Sequence, residues 1–130
     1  DPDSNLRAVR LIRRLYPQAK VLARARNRQH AWRLMDLGAE PFRELLGSSL
    51  EMGEHVLREL GVPASVAADH VRRFREHDEK LLRAQYLVYD DDAAVRQSAR
   101  QARADLLQLF DADEVRSADA GDADTPRAAD

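Results

Sequence analysis

The length and composition of the chain limit it to one domain or part of one. Its 130 residues are 34% charged and 44% hydrophobic, an ordinary balance for a globular sequence. The net charge of −2 gives no basic excess, so we expect no nucleic-acid partner. The absence of Cys excludes a disulfide framework and a thiolate metal site. No run of residues approaches the ~20 consecutive apolar positions of a membrane-spanning helix.

The first elements in chain order are a helix, a strand and a second helix. Residues 6–16 have helical spacing, residues 3–5 offer N-caps, and Pro17 stops the helix. Residues 21–25 form a short apolar run that is typical of a strand buried on both faces. Asn27 is then a suitable N-cap for the second helix.

A second strand and a third helix follow. Gly38 fits the position just after the end of the second helix. Residues 40–46 are a weaker strand prediction, since Pro41 restricts it to a strand start or an edge. Residues 48–51 have the sequence of a capping box, which predicts that the third helix starts at Ser48.

The remaining elements are helical. A long helix opens after Pro63, and its apolar seam has polar breaks at Asp78 and Gln85. Residues 90–92 are Asp and cap a last helix. From Asp111 onward the composition predicts an acidic, disordered tail.

The strand–helix–strand–helix order within residues 20–49 predicts a βαβα unit with parallel strands. The fold class is therefore α/β, predominantly helical, with two short parallel strands and C-terminal helices. We expect a partial Rossmann-like subdomain over residues 1–61, a helical extension over 62–110 and the tail over 111–130. Two strands alone do not make an independently stable sheet, so the chain must either close its sheet with a copy of itself or expose an edge, and we expect dimerisation to complete it.

The sequence contains no GxGxxG and no GxxxxGK[ST] pattern, so the ordinary phosphate-binding loops are missing. This disfavours an enzyme of the dinucleotide-binding type. We predict no enzymatic activity, no catalytic residue and no metal site.

Polar side chains at the strand ends are the candidate binding residues. Ligands of parallel sheets lie outside the carboxyl ends of the strands. Arg24 and Arg26 lie at the end of the first strand, and Arg43 and Glu44 lie near the end of the second. Arg suits bidentate contacts with phosphate or carboxylate. The alternative, equally weighted from the residues alone, is that these side chains simply point to solvent.

Three segments carry a resemblance to a known family. They are ARARNRQHAWRLMDLGAE, FRELLGSSLEMGEHVLRELG and RRFREHDEKLL. Together they resemble the cytoplasmic regulatory domain, of the RCK or KTN (TrkA amino-terminal) type, of Kef-type glutathione-gated potassium/proton antiporters. The match covers about residues 6–82.

The resemblance implies that the chain is the second half of a Rossmann-like RCK/KTN domain. The Gly-rich first half and a transmembrane antiporter part would precede Asp1 in the same polypeptide. In that family the domain dimerises on the cytoplasmic side of the bacterial inner membrane. A nucleotide, AMP or NAD(H), binds to the first half, and glutathione binds at the dimer interface. The family also implies an ancillary quinone-reductase-like subunit.

The resemblance also assigns roles to two arginines. The family's R-E-T-F arginine contacts the peptide ligand and matches Arg43, with Glu44 next to it. The family's ligand-contacting Asn falls at Arg75, which is a departure from the pattern. Arg75 then either replaces the amide with a carboxylate-binding fork, or this branch of the family senses another ligand. A different class of function is left open as well: a self-contained helical interaction module without a transport role.

Overall fold

A computed structural model of the chain contains five helices and two strands within its described residues. It describes the backbone of residues 1–122 and the side chains of residues 1–112. In chain order the elements are α1 (Pro2–Leu15), β1 (Leu22–Ala25), α2 (Arg28–Asp36), β2 (Glu40–Arg43), α3 (Leu46–Glu59), α4 (Ala64–Tyr86) and α5 (Asp92–Asp122). Within the described residues, no helix is both long and apolar enough to cross a bilayer.

The two strands pair in parallel, as the βαβ pattern predicts. Leu22 lies opposite Glu40, and Ala25 lies opposite Arg43, with α2 as the connection between the strands. Ala23 and Ala25 are buried, whereas Leu22 on the opposite face is exposed. The small buried side chains let α2 pack close to the sheet, which confirms the predicted fold class.

The two ends of α2 follow the predicted local signals. The Asn27 side-chain oxygen accepts a hydrogen bond from the backbone N–H of His30 at 2.8 Å, as an N-cap does. Gly38 has a φ of +75°, a left-handed conformation that favours glycine and lets the chain turn into β2. Both predictions are confirmed.

The predicted starts of α1 and α3 are wrong. Helix α1 begins at Pro2 because the Asp1 carboxylate accepts from the Asp3 backbone N–H at 3.1 Å, and proline suits the first helical turn. Strand β2 ends at Arg43, and α3 begins at Leu46 without a side-chain cap. Ser48 lies inside α3, where its hydroxyl donates to the Leu45 carbonyl at 3.3 Å.

The predicted disordered tail needs correction for residues 111–122, which are helical in the structure. Asp91 caps this last helix as predicted, accepting from the backbone N–H groups of Ala93 and Ala94. The segment after Asp111 contains no proline before Pro126, and it is rich in Ala, so nothing in it stops a helix that is already formed. Residues 123–130 lie outside the described part of the chain.

The core joins α1, α2, the inner face of the sheet and α4. Its buried members are Leu6, Val9, Ala23, Ala25, Ala31, Trp32, Leu34, Ala39 and Leu82. The Trp32 indole N–H donates to the Leu82 carbonyl at 2.9 Å, which fixes α4 against α2. The Asp36 carboxylate accepts from the hydroxyls of Tyr86 and Tyr89, and this hydrogen bonding raises the pKa of Tyr89 to about 12. These contacts hold the C-terminal part of α4 and the residues after it against α2.

Candidate functional site

A polar cleft of about 270 Å³ opens at the carboxyl ends of the two strands. It is lined by Asp1, Pro2, Asn5, Arg24, Arg26, His30 and Glu44. The structure therefore brings together three of the five predicted binding residues. Its position agrees with the rule that ligands of parallel sheets bind outside the carboxyl ends of the strands.

The charges in this cleft are partly paired. The Arg24 guanidinium contacts the Glu44 carboxylate at 2.7 Å, with both side chains at least 40% exposed. An exposed pair of this kind contributes little to stability and is easily exchanged for another partner. Arg26 is exposed, and its backbone N–H donates to the imidazole of His30. An anion that enters the cleft would meet exchangeable arginine donors.

His30 is a buried polar side chain that the sequence interpretation missed. It is 5% exposed, and its Nδ1 accepts from the Arg26 N–H at 3.0 Å, so the neutral ring carries its proton on Nε2. Among the described residues, Nε2 has no hydrogen-bond partner. Burial, reinforced by the nearby charge of Arg33, lowers the pKa of His30. The ring is thus a neutral donor beside the cleft.

Arg43 lies at the centre of a separate cluster that links β2 to α4. Its guanidinium contacts the carboxylates of Asp78 and Glu79, the second at 2.8 Å, and its side chain is 11% exposed. Asp78 also accepts from Arg28 at 2.6 Å. We call these four residues the Arg43 cluster. It balances two positive charges with two negative ones at the junction of β2, α2 and α4.

The two arginines of this cluster differ in their electrostatics. Burial opposes the charged form of Arg43, but the hydrogen bonds to Glu79 and Asp78 outweigh it, so the pKa of Arg43 is raised. The pKa of Arg28 is lowered, chiefly by burial and only partly offset by Asp78. Arg43 is thus the more firmly held cation, and its guanidinium is already occupied by carboxylates of the same chain.

Arg75 is not part of the Arg43 cluster. It lies on α4 about one turn before Asp78, with an exposed side chain. Within the described residues, no hydrogen bond or ion pair joins Arg75 to Arg43. Asp78 is the partner of Arg43 that the sequence interpretation missed. The sequence signal for it is the polar break that Asp78 makes in the apolar seam of α4. Nothing in the local pattern around Arg28 or Glu79 sets them apart from solvated charges.

Across the residues that the structure describes, no group of three or more His, Cys, Asp or Glu side chains could hold a metal ion. The arrangement at the strand ends is suited instead to binding an anion through guanidinium groups.

These features define a class of protein: a part of a Rossmann-like α/β domain with helices added after its last strand. The model of the family described as "Potassium efflux system KefB C-terminal domain" matches residues 48–126, and the chain belongs to this family. By family, it is part of a regulatory domain and not an enzyme.

A solved structure supports the same assignment. The Kef CTD of Shewanella denitrificans in an AMP-bound form is similar to this chain at 34% sequence identity, with a TM-score of 0.65. The match covers 68% of this chain and 56% of that one, so the chain corresponds to little more than half of its relative. The predicted resemblance and fold class are confirmed.

Proposed function

We propose that the chain is the ligand-sensing and dimerising part of the regulatory domain of a Kef-type potassium/proton antiporter. In this proposal the domain lies on the cytoplasmic side of the bacterial inner membrane, and the antiporter belongs to the same polypeptide. The observation that carries the proposal is the position of Arg43. It lies at the end of β2, where ligands of such sheets bind, and its partners are on α4.

This position offers a physical route from binding to regulation. An anionic ligand that binds Arg43 competes with Asp78 and Glu79 for the guanidinium group. Ligand binding therefore weakens the contact between β2 and α4, whereas ligand release restores it. A ligand with different affinities for these two arrangements shifts their populations, and the linked membrane part follows that shift.

The resemblance to Kef-type antiporters supports a carboxylate-bearing peptide as the ligand. A peptide with carboxylates, such as glutathione, matches the chemistry of Arg43, and Arg75 adds an exposed guanidinium one turn before Asp78. Because the similar Shewanella protein was solved in an AMP-bound form, we also propose a nucleotide site in the complete domain. The strand-end cleft, with Arg24 and Arg26, is the part of this chain that would face that nucleotide.

Dimerisation is supported by an apolar stripe along α3. Met52, Val56 and Leu60 are 70%, 48% and 77% exposed and recur at intervals of four residues. Ser49 and Gly53 beside them are small, which allows close approach of another helix. We propose that a second copy of this chain covers the stripe.

The role of Arg43 is tested by potassium efflux from cells that carry the complete antiporter. In the Arg43→Ala variant we expect the inhibitory effect of glutathione on efflux to fall at least ~10-fold in apparent affinity, because a charge-assisted contact is lost. Arg10→Ala is the matched control, since Arg10 is an exposed arginine of α1 away from the strand ends. An unchanged glutathione response in the Arg43 variant would contradict the proposal.

The dimer is tested separately by sedimentation of the 130-residue chain. A Val56→Glu change places a charge in the stripe and is expected to convert dimers to monomers, whereas Arg58→Glu on the same helix is the control. If the unmodified chain sediments as a monomer at all concentrations, the alternative of a self-contained helical interaction module gains support.

A further inference from the structure

The outer face of the two-stranded sheet carries two exposed apolar side chains. Helices α1 and α2 both pack on the inner face, against Ala23 and Ala25. On the opposite face Leu22 is 65% exposed and Phe42 is 70% exposed. In the register of the strands Arg24 lies opposite Phe42, so Leu22 and Phe42 are diagonal neighbours on this face. We call these two residues the sheet patch.

The surroundings of the sheet patch suit an apolar cover. Parallel sheets are normally covered by helices on both faces. The Lys20 ammonium contacts the Glu40 carboxylate at 3.7 Å, and the Arg24 guanidinium contacts the Glu44 carboxylate at 2.7 Å. Because these four charges are paired with one another, an apolar surface that covers the patch does not have to neutralise an isolated charge.

Helix α3 follows β2 directly but does not supply this cover. It packs mainly against α4, and none of its side chains is buried. In the part of the chain that the structure describes, the apolar stripe of α3 is therefore a helix surface without a cover, just as the sheet patch is a sheet face without one. In a two-fold dimer each surface occurs twice, and every contact between two different surfaces is made twice.

The available area favours contact between stripe and sheet patch over contact between the two stripes alone. With roughly 200 Å² for a fully exposed large apolar residue, the exposed fractions give roughly 800 Å² for the stripes of two copies. Non-specific contacts in crystals reach about 800 Å² in total. Adding the two sheet patches gives roughly 1,300 Å², which lies within the range of specific interfaces, about 1,200–2,000 Å².

We propose that the α3 stripe of each copy packs on the sheet patch of the other copy, so that both sheets of the dimer have a helix on each face. At Gly53, beside the stripe, no described atom lies within 4 Å of the position of an added Cβ, so this part of α3 is open to close approach. The inference rests on the dimerisation proposed above and adds the surface against which the stripe lies.

Sedimentation equilibrium of the 130-residue chain and its variants tests this arrangement. Val56→Glu places a charge in the stripe, and Phe42→Lys places a charge in the sheet patch. We expect each variant to weaken dimerisation at least ~10-fold, because each would bury an unpaired charge in the interface. Leu87→Lys is the matched control, since Leu87 is 81% exposed and belongs to neither surface. This control is expected to dimerise like the unmodified chain.

An equimolar mixture of the two interface variants tests whether the two surfaces meet each other. In a mixed dimer the Phe42→Lys copy supplies an unmodified stripe, and the Val56→Glu copy supplies an unmodified sheet patch. One of the two helix–sheet contacts is then intact, and the other brings opposite charges together. We therefore expect dimerisation in the mixture to be at least ~5-fold tighter than in either variant alone.

The outcomes separate this inference from dimerisation itself. An unmodified chain that is monomeric at every concentration would contradict both. If the chain dimerises and Phe42→Lys behaves like Leu87→Lys, the dimer stands but the placement of the stripe on the sheet is wrong. The same conclusion follows if the mixture shows no recovery. Circular dichroism verifies that each variant is folded, and Leu22→Lys, on the same sheet face, replaces Phe42→Lys if that variant unfolds.

Discussion

The guanidinium of Arg43 and the carboxylate of Asp78 join the end of β2 to the middle of α4, across 35 residues of sequence. Both side chains are almost buried, at 11% and 13% exposed, so water screens their interaction only weakly. Asp78 also binds Arg28, which means that one carboxylate separates two guanidinium groups. This shared carboxylate leads to the first prediction.

Replacing Asp78 with Asn should lower the free energy of unfolding by about 2 kcal/mol, because the positive charges of Arg28 and Arg43 then lose the carboxylate that neutralises both. The value of about 2 kcal/mol lies between the cost of losing an exposed ion pair and that of losing a fully buried one. The measurement is the free energy of unfolding in urea. Asp69→Asn is the control: Asp69 binds Arg72 and Arg73 on a more exposed surface, where water screens the charges, so its loss should cost clearly less than the loss of Asp78. Equal losses in both variants would contradict this account of Asp78.

Burial in the hydrophobic core predicts that Leu34→Ala lowers the free energy of unfolding more than Asp78→Asn does. This side chain is 0% exposed, so Leu34→Ala should cost about 2–5 kcal/mol through lost burial and the cavity that remains. Leu87 is 81% exposed, and Leu87→Ala should change the free energy of unfolding by less than about 0.5 kcal/mol. Thermal or urea unfolding followed by circular dichroism measures both. A small effect at Leu34 would show that the core is packed differently.

Two glycines provide a matched pair of backbone substitutions. Gly38→Ala should destabilise by about 1 kcal/mol or more, because its φ of +75° disfavours a side chain and the new methyl group would approach the Arg13 guanidinium to 3.3 Å. Gly47→Ala lies within α3, with no described atom within 4 Å of the new methyl group. It should stabilise the helix by up to about 1 kcal/mol. Opposite signs in urea unfolding are therefore expected.

His30 predicts a dependence of stability on pH. Its pKa is lowered in the folded state, so the unfolded chain binds protons more readily as the pH falls through about 6.5, the usual value. The stability contributed by neutral His30 is complete above that pH and decreases below it, towards the folded-state pKa. Urea unfolding between pH 7.5 and 5.5 measures this decrease.

In the His30→Gln variant the decrease in stability towards low pH should become smaller. His55→Gln is the comparison variant, because His55 is exposed on α3. A pH profile of the His30 variant identical to that of the unmodified chain would show that His30 does not contribute to it.

Local patterns in the sequence were sufficient for the centre of the fold. The Asn27 cap, the glycine after α2 and the Asp91 cap all depend on residues within about four positions of one another. Interactions of this range act in any context, so they can be inferred without knowing the tertiary structure.

The same local rules failed where two signals competed. Residues 48–51 have a capping-box sequence, but α3 starts two residues earlier because β2 is only four residues long and ends at Arg43. Helix α5 continues past Asp111 because an established helix is extended at little cost. Composition alone could not show that this helix was already formed.

The sequence by itself determined the class of fold, the family resemblance and the position of the arginines at the strand ends. Only the tertiary structure decided that Arg43 is held by Asp78 and Glu79, and that Arg24 and Arg26 share a cleft with His30. The physical reason is that an ion pair between residues 35 positions apart forms only after helix packing has brought β2 and α4 together. A pattern of a few neighbouring residues carries no information about a pair that is 35 positions apart.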